Sequence, residues 1–470
     1  MIAFGTGGWR AIIGEDFTKE NVQRLAVAVA RRMKAEAVEG PGFAIGFDRR
    51  FLSREAAKWA AEVMAAEGIH TYFIPREAPT PLIMFTVRYY GLHYGMAVTA
   101  SHNPALYNGI KLFTRGGRDA ALEITEPLGA AANLVSREEI SFVPYDQAVN
   151  KGLVEEISPQ NQYLDAIIRG VNMDAIRSRN LRIILDPMYG VSRTSLQTIL
   201  LTARCDVDVI HERHDALFGG RLPSPSAETL GALKAAVTES RADIGIATDG
   251  DADRIGIIDD TGRFVHPNEI LVLLYYYLLK YKNLKGPAVR NLATTHLLDR
   301  VAASFGETCY EVPVGFKYIS AAMEKYNAVI GGESSGGLTV RGHILGKDGI
   351  HAATLLAEMM AVTGEKLSTL TKQMYDRFGR AYMAEYDWPF LPEEKERLLR
   401  LLMEEKRLPG FPEEAVSVSY LDGVKVYFKE GWIIIRFSGT EPRLRVFCEM
   451  PDQKRAEEMC ALAANFLGLA

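Results

Sequence analysis

Short apolar runs alternate along most of the chain with longer segments whose apolar residues recur at helical spacing. Residues 43–47, 182–185 and 243–247 are such runs, and polar turn residues follow each of them. After the first run, helical periodicity extends to Glu67 from Ser53, which we expect to be the N-cap. Strands that alternate with helices predict βαβ units and mixed, mostly parallel sheets. Ligands of such sheets bind at the carboxyl ends of the strands, where these turns fall.

The end of the chain has a different pattern. A charged amphipathic helix is predicted at 393–406, most simply a solvated helix face, and a closing helix from about 453. Between them lie apolar runs joined by Asp-Gly and Glu-Gly turns, which are typical of antiparallel hairpins, at 417–420, 424–428, 432–437 and 444–449. The sequence therefore predicts three α/β domains and a smaller C-terminal α+β domain, with boundaries at 1–150, 151–260, 261–372 and 373–470.

Composition narrows the class of protein. The chain has 470 residues, 48% of them hydrophobic and 24% charged, so it has the composition of a globular protein of several domains. The net charge of −5 argues against a nucleic-acid binder but allows a small anionic ligand. The four cysteines form no C-x-x-C pair, and the longest apolar run, 270–279, is shorter than the roughly 18 residues of a bilayer span. We expect a cytoplasmic protein with neither a membrane nor a nucleic-acid partner.

The first of four loops that carry chemistry is TASHNP, residues 99–104. A serine at the end of an apparent strand, followed by a histidine and an Asn-Pro turn, presents a hydroxyl in a rigid position. The hydrolase nucleophile elbow requires G-x-S-x-G, which this loop lacks. An ordinary turn is the alternative interpretation.

The second loop is DGDADR, residues 249–254, in which three carboxylates occupy alternate positions. An EF-hand requires Gly and Glu at the sixth and twelfth positions, where this chain has Arg254 and Asp260. Magnesium in proteins takes few carboxylates and often a phosphate oxygen. The loop therefore indicates a metal site that faces a phosphoryl group, with a solvated acidic loop as the simpler alternative.

The third and fourth loops suggest a phosphorylated sugar. In GGESSGG, residues 331–337, glycines permit close approach while Glu333 and Ser335 suit sugar hydroxyls; the alternative is a flexible linker. In RFSGTEPRLR, residues 436–445, the arginines and hydroxyls can cradle a phosphate dianion, whereas a structural hairpin would explain only the Gly and Pro.

In this order, the four loops resemble those of the α-D-phosphohexomutase superfamily, which includes phosphoglucomutases, phosphomannomutases, and phosphoglucosamine and phosphoacetylglucosamine mutases. The opening FGTGGWR, residues 4–10, is similar to the N-terminal motif of that family, and the match extends to about Phe447. The resemblance implies three related α/β domains and a smaller fourth around a central cleft.

The resemblance also implies roles for individual residues. Ser101 is carried as phosphoserine and holds one Mg²⁺ together with Asp249, Asp251 and Asp253. The other implied site residues are Arg10, His102 and Lys111 at the reaction centre, with Lys111 as the candidate base, Lys317, Glu333 and Ser335 on the sugar, and Arg436, Ser438, Gly439 and Thr440 on the phosphate that is not transferred.

The implied reaction consists of two phosphoryl transfers on a hexose phosphate, with glucose 1,6-bisphosphate as intermediate and activator. The bisphosphate must turn over, so we expect a cleft that opens about a hinge at 368–380 in a monomer or homodimer. Dual-specificity and glucosamine members usually end the sugar loop with Ser-Gly-His, whereas this chain has Gly337. We therefore expect a phosphoglucomutase first, a phosphomannomutase or dual-specificity enzyme second, and a phosphoglucosamine mutase last.

Two other classes of function are open at this point. A metal-dependent phosphatase with Ser101 as nucleophile would release inorganic phosphate, but we find no motif for the second metal that such enzymes usually need. A silent phosphosugar-binding protein would have no use for an intact Ser101 and three aspartates.

Overall fold

The computed structural model describes residues 1–5, 7–438 and 443–469. It contains three α/β units and a C-terminal α+β unit, as the sequence predicts. Each of the three α/β sheets is mixed, with parallel pairs on one side and antiparallel neighbours on the other.

The first unit has a sheet in the order β1-β2-β6-β5-β3-β4-β8, with β7 beside β6. Its elements are β1 (Phe4–Gly5), β2 (Gly8–Ile12), α1 (Lys19–Ala35), β3 (Phe43–Phe47), α2 (Ser53–Ala66), β4 (Thr71–Phe73), α3 (Thr80–Tyr89), β5 (Tyr94–Val98), β6 (Tyr107–Thr114), β7 (Arg118–Asp119), α4 (Leu122–Leu134), α5 (Tyr145–Asn150) and β8 (Val154–Glu156).

The second unit has a sheet in the order β10-β9-β11-β12-β13. Its elements are α6 (Gln160–Gly170), α7 (Met173–Arg179), β9 (Arg182–Asp186), α8 (Arg193–Thr202), β10 (Asp206–Val209), α9 (Gly231–Ser240), β11 (Ile244–Thr248), β12 (Ile255–Asp259) and β13 (Phe264–Val265).

The third unit has a sheet in the order β15-β14-β16-β17, and its helix α13 packs against α7 and α8 of the second unit. Its elements are α10 (Pro267–Lys280), β14 (Ala288–Asn291), α11 (Leu297–Ser304), β15 (Cys309–Val312), α12 (Phe316–Tyr326), β16 (Ile330–Gly332), β17 (Leu338–Val340), α13 (Gly349–Thr363) and α14 (Leu367–Phe378). β16 includes Gly331 and Gly332, the first two residues of the glycine-rich loop 331–337.

The C-terminal unit is an antiparallel sheet in the order β18-β22-β21-β20-β19, covered by α16. Its elements are β18 (Tyr382–Pro389), α15 (Lys395–Leu399), β19 (Ser417–Ser419), β20 (Val424–Phe428), β21 (Gly431–Phe437), β22 (Arg443–Met450) and α16 (Gln453–Leu467). The single helix predicted at 393–406 is wrong in detail. It is a 3₁₀ turn, a short α-helix and a π-helical turn, Pro392–Glu394, Lys395–Leu399 and Arg400–Glu404.

The predicted N-cap of α2 is also wrong. The helix begins at Ser53, and Leu52 precedes it in the left-handed region at φ 64°. The Ser53 hydroxyl donates to Asp48 Oδ1 at 2.7 Å instead of capping the helix. A hydrogen bond to Asp48, which directly follows β3 and lies five positions earlier, therefore takes the hydroxyl that the sequence pattern assigned to the helix cap.

All four loops with candidate chemistry occupy equivalent places in the fold. Each one joins two neighbouring antiparallel strands: β5 to β6, β11 to β12, β16 to β17 and β21 to β22. In the three α/β units, the strand before the loop also pairs in parallel with the interior of its sheet. The loops thus leave the carboxyl ends of three parallel strands.

A buried lysine joins the C-terminal unit to the third unit. Lys425 on β20 is 1% exposed, and its Nζ donates to the Leu292 carbonyl and to Glu311 Oε2, both at 2.7 Å. Its ammonium also lies 4.1 Å from the centre of the Trp432 ring. The connection between the units is residues 379–381, so only the end of the range 368–380 predicted for a hinge lies outside α14.

Candidate active site

The loop after β5 places the Ser101 hydroxyl against the acidic loop of the second unit. Ser101 is fully buried and has φ 52°, a left-handed conformation that costs a non-glycine residue roughly 1 kcal/mol. Its Oγ donates to Asp249 Oδ2 at 2.8 Å across 148 positions of sequence. The strained turn therefore directs the candidate nucleophile toward the three aspartates.

Two buried residues that sequence reasoning missed hold this loop in place. Arg50 donates at 2.6 Å to the carbonyls of Ser101 and Asn103, and also to two further carbonyls of the loop. Asp48 accepts hydrogen bonds from the Thr99 hydroxyl at 2.6 Å and from the Arg50 backbone N–H at 2.9 Å. One sequence signal could have identified them: Asp48, Arg49 and Arg50 directly follow β3 and therefore lie at the end of another strand of the same sheet.

The three aspartates lie fully inside the protein, with carboxylate oxygens within 4.8 Å of one another. Asp249 Oδ1 accepts the backbone N–H groups of Asp253 and Arg254 at 3.0 and 3.1 Å, which closes the loop. Burial and the charge of Asp251 raise the pKa of Asp249 well above its usual value. Like charges this close require compensation from elsewhere in the chain.

Two lysines of the first and third units supply much of that compensation, together with Arg254 of the second unit, whose Nε lies 3.8 Å from Asp253 Oδ1. Lys111 Nζ lies 2.6 Å from Asp251 Oδ2 and 2.7 Å from Asp253 Oδ2, and Lys347 Nζ lies 3.0 Å from Asp253 Oδ2. Thr80, another residue that the sequence did not single out, donates its hydroxyl to Asp251 Oδ2 at 2.6 Å. Burial opposes ionisation of Asp251 and Asp253, but Lys111 holds the pKa of both below the usual range.

The same contacts disfavour the base role predicted for Lys111. Burial alone would lower the pKa of Lys111, but the charges of Asp251 and Asp253 raise it above its usual value. An amine must be neutral to accept a proton. Lys111 in this setting is a cation that balances the acidic loop.

Two of the aspartates each have a carboxylate oxygen that could bind a divalent cation. Asp251 Oδ1 and Asp253 Oδ1 are buried and have no hydrogen-bond partner among the residues that the structure describes. Buried, unpaired carboxylate oxygens are costly unless an ion completes them. An all-oxygen donor set suits Mg²⁺, so the residues present fit the predicted metal.

A cavity of about 460 Å³ opens beside this centre and brings the loops together. The predicted site residues that line it are Arg10, His102, Lys111, Glu333, Ser335 and Arg436. The C-terminal unit contributes further residues that the sequence did not single out, namely Glu385, Tyr386, Asp387, Arg445 and Phe447. Segments from both ends of the chain therefore share one cleft.

Cations surround the side of the cavity next to Ser101. Arg10 Nη1 donates to Asn103 Oδ1 at 2.5 Å, and burial together with Arg254 lowers its pKa to about 10, so it stays charged at neutral pH. His102 Nδ1 lies 3.4 Å from Ser101 Oγ. Burial and the neighbouring guanidinium groups keep the pKa of His102 well below its usual value, and the ring is therefore neutral.

The sugar loop is a tight turn with an anchored carboxylate. The Gly336 N–H donates to the Glu333 carbonyl at 3.1 Å, with Gly336 at φ 92°. Asn291, at the end of β14, donates its side-chain amide to Glu333 Oε1 at 3.0 Å, which leaves Oε2 for a ligand. The linker interpretation is therefore wrong, because strands border the loop and a buried amide orients its acid.

The opposite wall carries the candidate phosphate-binding arginine. Arg436 Nη2 lies 3.3 Å from Asp422 Oδ2, and Asp422 also accepts the Val314 N–H at 3.0 Å. Asp422 thus positions Arg436 and ties it to the third unit. Gly439 and Thr440, predicted to bind the same phosphate, lie outside the described residues.

Two predicted substrate contacts do not line the cavity in this arrangement. Lys317 is largely buried, with Nζ 5.1 Å from the centre of the Tyr318 ring, although its neighbours Gly315 and Phe316 are in the cavity wall. The backbone N–H of Ser438 donates to the Arg443 carbonyl at 2.8 Å. Contact of either residue with substrate stays a prediction.

Comparison with known proteins decides the family. Models of the phosphoglucomutase/phosphomannomutase family match all four units: α/β/α domain I at 1–136, domain II at 161–262, domain III at 266–378 and the C-terminal domain at 398–465. The chain belongs to this family. It is therefore an α-D-phosphohexomutase, an isomerase that acts by intramolecular phosphoryl transfer.

Individual relatives match this phosphohexomutase over nearly its whole length. A phosphoglucomutase/phosphomannomutase of Thermococcus kodakarensis is 29% identical, with 99% of this chain and 98% of the relative covered. A phosphoglucosamine/phosphogalactosamine mutase of Sulfurisphaera tokodaii is 27% identical over 97% of both chains. The crystal structure of a candidate phosphomannomutase from Thermus thermophilus has a TM-score of 0.86, 29% identity and 99% coverage of both chains. No described helix is long and apolar enough to cross a membrane.

This phosphohexomutase has glycine at position 337, where histidine is expected in the Ser-Gly-His pattern, and the side chain of Lys347 packs against that glycine. A Cβ added at Gly337 would lie only 2.2 Å from Lys347 Cδ and 2.8 Å from its Cγ. The stem of Lys347 thus fills the space that a side chain at 337 needs. Its ammonium reaches Asp253 while its stem crosses the sugar loop, so one residue joins the two loops.

The Gly337→Ala variant should therefore lose activity by displacing Lys347. We expect kcat/KM to fall about tenfold or more, because a charged group at the reaction centre moves out of position. Steady-state assays of hexose-phosphate isomerisation measure this. The Gly231→Ala variant is the matched control, since a Cβ there meets no atom within 4 Å.

A double-mutant cycle tests the cause. In a Lys347→Ala background, Gly337→Ala should add little further loss, because the stem that it meets has gone. Independent losses that simply multiply would show that the two residues do not interact.

Proposed function

We propose that the chain is a phosphoglucomutase that interconverts α-D-glucose 1-phosphate and glucose 6-phosphate through phosphoserine at Ser101. The observation that carries the proposal is the 2.8 Å contact of Ser101 Oγ with Asp249, next to a cavity whose other walls present Glu333 and Arg436. Ser101 can carry the transferable phosphoryl group, Glu333 can bind the sugar hydroxyls, and Arg436 can bind the second phosphate.

In the first transfer, the bond between Ser101 Oγ and phosphorus breaks, and the phosphoryl group joins the C6 hydroxyl of glucose 1-phosphate. The resulting glucose 1,6-bisphosphate turns over in the cleft. In the second transfer, the C1 phosphoryl group returns to Ser101 Oγ, which leaves glucose 6-phosphate. Positioning and charge stabilisation are the main requirements of such transfers.

The cations around Ser101 supply most of that stabilisation. Arg10, Lys347 and Arg254 line the cavity on the Ser101 side, where the equatorial oxygens of a transferring phosphoryl group would lie. Mg²⁺, which members of the family generally use, would be held by Asp249, Asp251, Asp253 and the Ser101 phosphate, and when bound it neutralises charge on the phosphoryl oxygens.

The hydroxyl that accepts the phosphoryl group must lose its proton, and His102 is better suited than Lys111 to receive it. His102 is neutral and lies beside Ser101 Oγ, whereas two carboxylates keep Lys111 protonated. A neutral imidazole has a free lone pair to accept a proton at neutral pH, which a protonated lysine does not have.

The substrate preference rests on the sugar loop. Glu333 and Ser335 line the cavity, and no side chain extends from position 337, where the dual-specificity and glucosamine members usually have histidine. A dual glucose/mannose specificity is the second candidate, because the Thermococcus relative is named for both activities. The domain boundaries given above and assembly as a monomer or homodimer stay predictions.

The Ser101→Ala variant should lose phosphoryl transfer by at least about a thousandfold, because the residue that carries the group has gone. Mass spectrometry of the native protein should show a phosphate on Ser101 that exchanges with glucose 1,6-bisphosphate. The Ser141→Ala variant, at an exposed position, is the matched control. Isomerisation at full speed by Ser101→Ala would refute the mechanism, and net release of inorganic phosphate would indicate a phosphatase.

Removal of the metal should stop the reaction. Treatment of the wild-type protein with EDTA should abolish isomerisation, and Mg²⁺ should restore it. Asp251→Asn and Asp253→Asn should require at least about tenfold more Mg²⁺, because each loses a carboxylate charge at the site. Asp146→Asn, at an exposed position of α5, should behave like the wild type. Activity that survives EDTA unchanged would contradict a metal at this site.

A side-by-side assay tests the sugar. Glucose 1-phosphate should have a kcat/KM at least about tenfold above those of mannose 1-phosphate and glucosamine 1-phosphate. The latter two sugars differ from glucose at C2, and this chain has Gly337 in place of the histidine usual in enzymes that accept them. Equal values for glucose and mannose would establish dual specificity instead, and a preference for glucosamine would overturn the proposed substrate.

A further inference from the structure

A second cavity, of about 490 Å³, lies where the C-terminal unit joins the third unit. Asn268 on α10 and Lys372 on α14 line it from one side, while Met383 on β18 and Glu449 on β22 line it from the other. None of the described residues around it lines the catalytic cavity. The proposed reaction gives this space no role.

Two buried polar groups in its wall lack partners. Asn268 is 4% exposed, and its Oδ1 accepts the Thr295 N–H at 3.5 Å. This contact fixes the orientation of the side-chain amide, so that its nitrogen Nδ2 is the atom without a partner among the described residues. Glu449 is 3% exposed; its Oε1 accepts N–H groups of His296 and Trp432 at 3.0 and 3.1 Å. Within the described residues, neither Asn268 Nδ2 nor Glu449 Oε2 has a hydrogen-bond partner.

Unpaired buried polar groups are costly, and native proteins rarely keep them without water or a ligand. Here one group is a donor and the other an acceptor, and they come from different units. A ligand hydroxyl both accepts and donates, so a polyol is suited to satisfy the two groups together.

The exposed edge of the cavity is basic. Lys372 and Arg380 are both exposed, and the described residues offer Lys372 no ion pair. Arg380 Nη1 donates to the Tyr382 hydroxyl at 2.9 Å. Arg263 also lines the cavity but is already paired with Asp259 and Glu269. Two cations at the edge suit an anionic group on the same ligand.

We propose that this cavity is a second small-molecule site, which binds a phosphorylated polyol of hexose size. The hydroxyls contact Asn268 Nδ2 and Glu449 Oε2, and the phosphate lies at Lys372 and Arg380. The volume is close to that of the catalytic cavity, about 460 Å³, so a hexose phosphate is of suitable size. The bound ligand bridges the third and C-terminal units at the connection 379–381.

Calorimetric titration of the full-length protein tests this independently of catalysis. With glucose 6-phosphate as probe, we expect two binding events per chain. Asn268→Asp and Glu449→Gln should each weaken one event about tenfold and spare the other, because each removes one hydrogen bond. Arg436→Ala should weaken the spared event. The exposed positions supply the matched controls Asn283→Asp and Glu404→Gln.

Both site variants keep the size and the remaining contacts of the native side chain, and retained mutase activity will show that they fold. A single binding event, or two events that both site variants leave unchanged, would overturn the site. Sorbitol 6-phosphate should compete at the second event, and inorganic phosphate should bind there at least about tenfold more weakly, because it makes none of the hydroxyl contacts. Phosphate that binds as tightly as the sugar phosphate would overturn the polyol part of the proposal.

Discussion

The burial of three aspartates in one short loop is the constraint on which the rest of the site depends. Asp249, Asp251 and Asp253 are fully inside the protein, and such charges are stable only when other groups pair with them. The second unit supplies Arg254, whose Nε lies 3.8 Å from Asp253 Oδ1, but one cation does not balance three carboxylates. Lys111 comes from the first unit and Lys347 from the third, so neutralising the acidic loop requires all three units to meet as they do. The packing of the three units therefore determines the charge balance at the acidic loop. Asp251 Oδ1 and Asp253 Oδ1, which have no hydrogen-bond partner among the described residues, are then the natural place for a further cation.

The repeated topology explains how distant segments converge. In each α/β unit, the catalytic loop leaves a strand whose one neighbour is parallel and whose other neighbour is the next, antiparallel strand. The carboxyl ends of such strands are where open α/β sheets bind ligands. Three units that present the same edge to a common centre bring the Ser101, aspartate and Glu333 loops together, and Arg436 near the end of β21 lines the cleft from the C-terminal unit.

The sequence predicted what local patterns determine. The strands 43–47 and 424–428 and the succession of three α/β units and a C-terminal α+β unit are confirmed, because each depends on residues close together in the chain. Arg50, Thr80 and Asn291 were not found, since their importance lies in partners up to 171 positions away. The N-cap assigned to Ser53 failed for a more local reason, since the Ser53 hydroxyl donates to Asp48, five positions earlier. The contact between Gly337 and Lys347 could not be predicted either, because sequence spacing does not show which side chain fills the space beside a glycine.

The segment Lys347-Asp348-Gly349 connects the acidic loop, residues 249–254, with the glycine-rich loop, residues 331–337. Asp348 caps α13 by accepting the N–H groups of Ile350 and His351 at 2.9 Å, and this fixes where the helix begins. The Gly349 N–H donates to the Ala252 carbonyl at 3.1 Å, and a Cβ at 349 would lie 2.6 Å from the Arg254 carbonyl oxygen. The start of α13 is thus in direct contact with the acidic loop, while Lys347 crosses the sugar loop to reach Asp253. A change in the acidic loop must shift Lys347, and a side chain at 337 must do the same from the other side. In the proposed mechanism, selection of the sugar and stabilisation of the transferred charge would therefore depend on the same ammonium group.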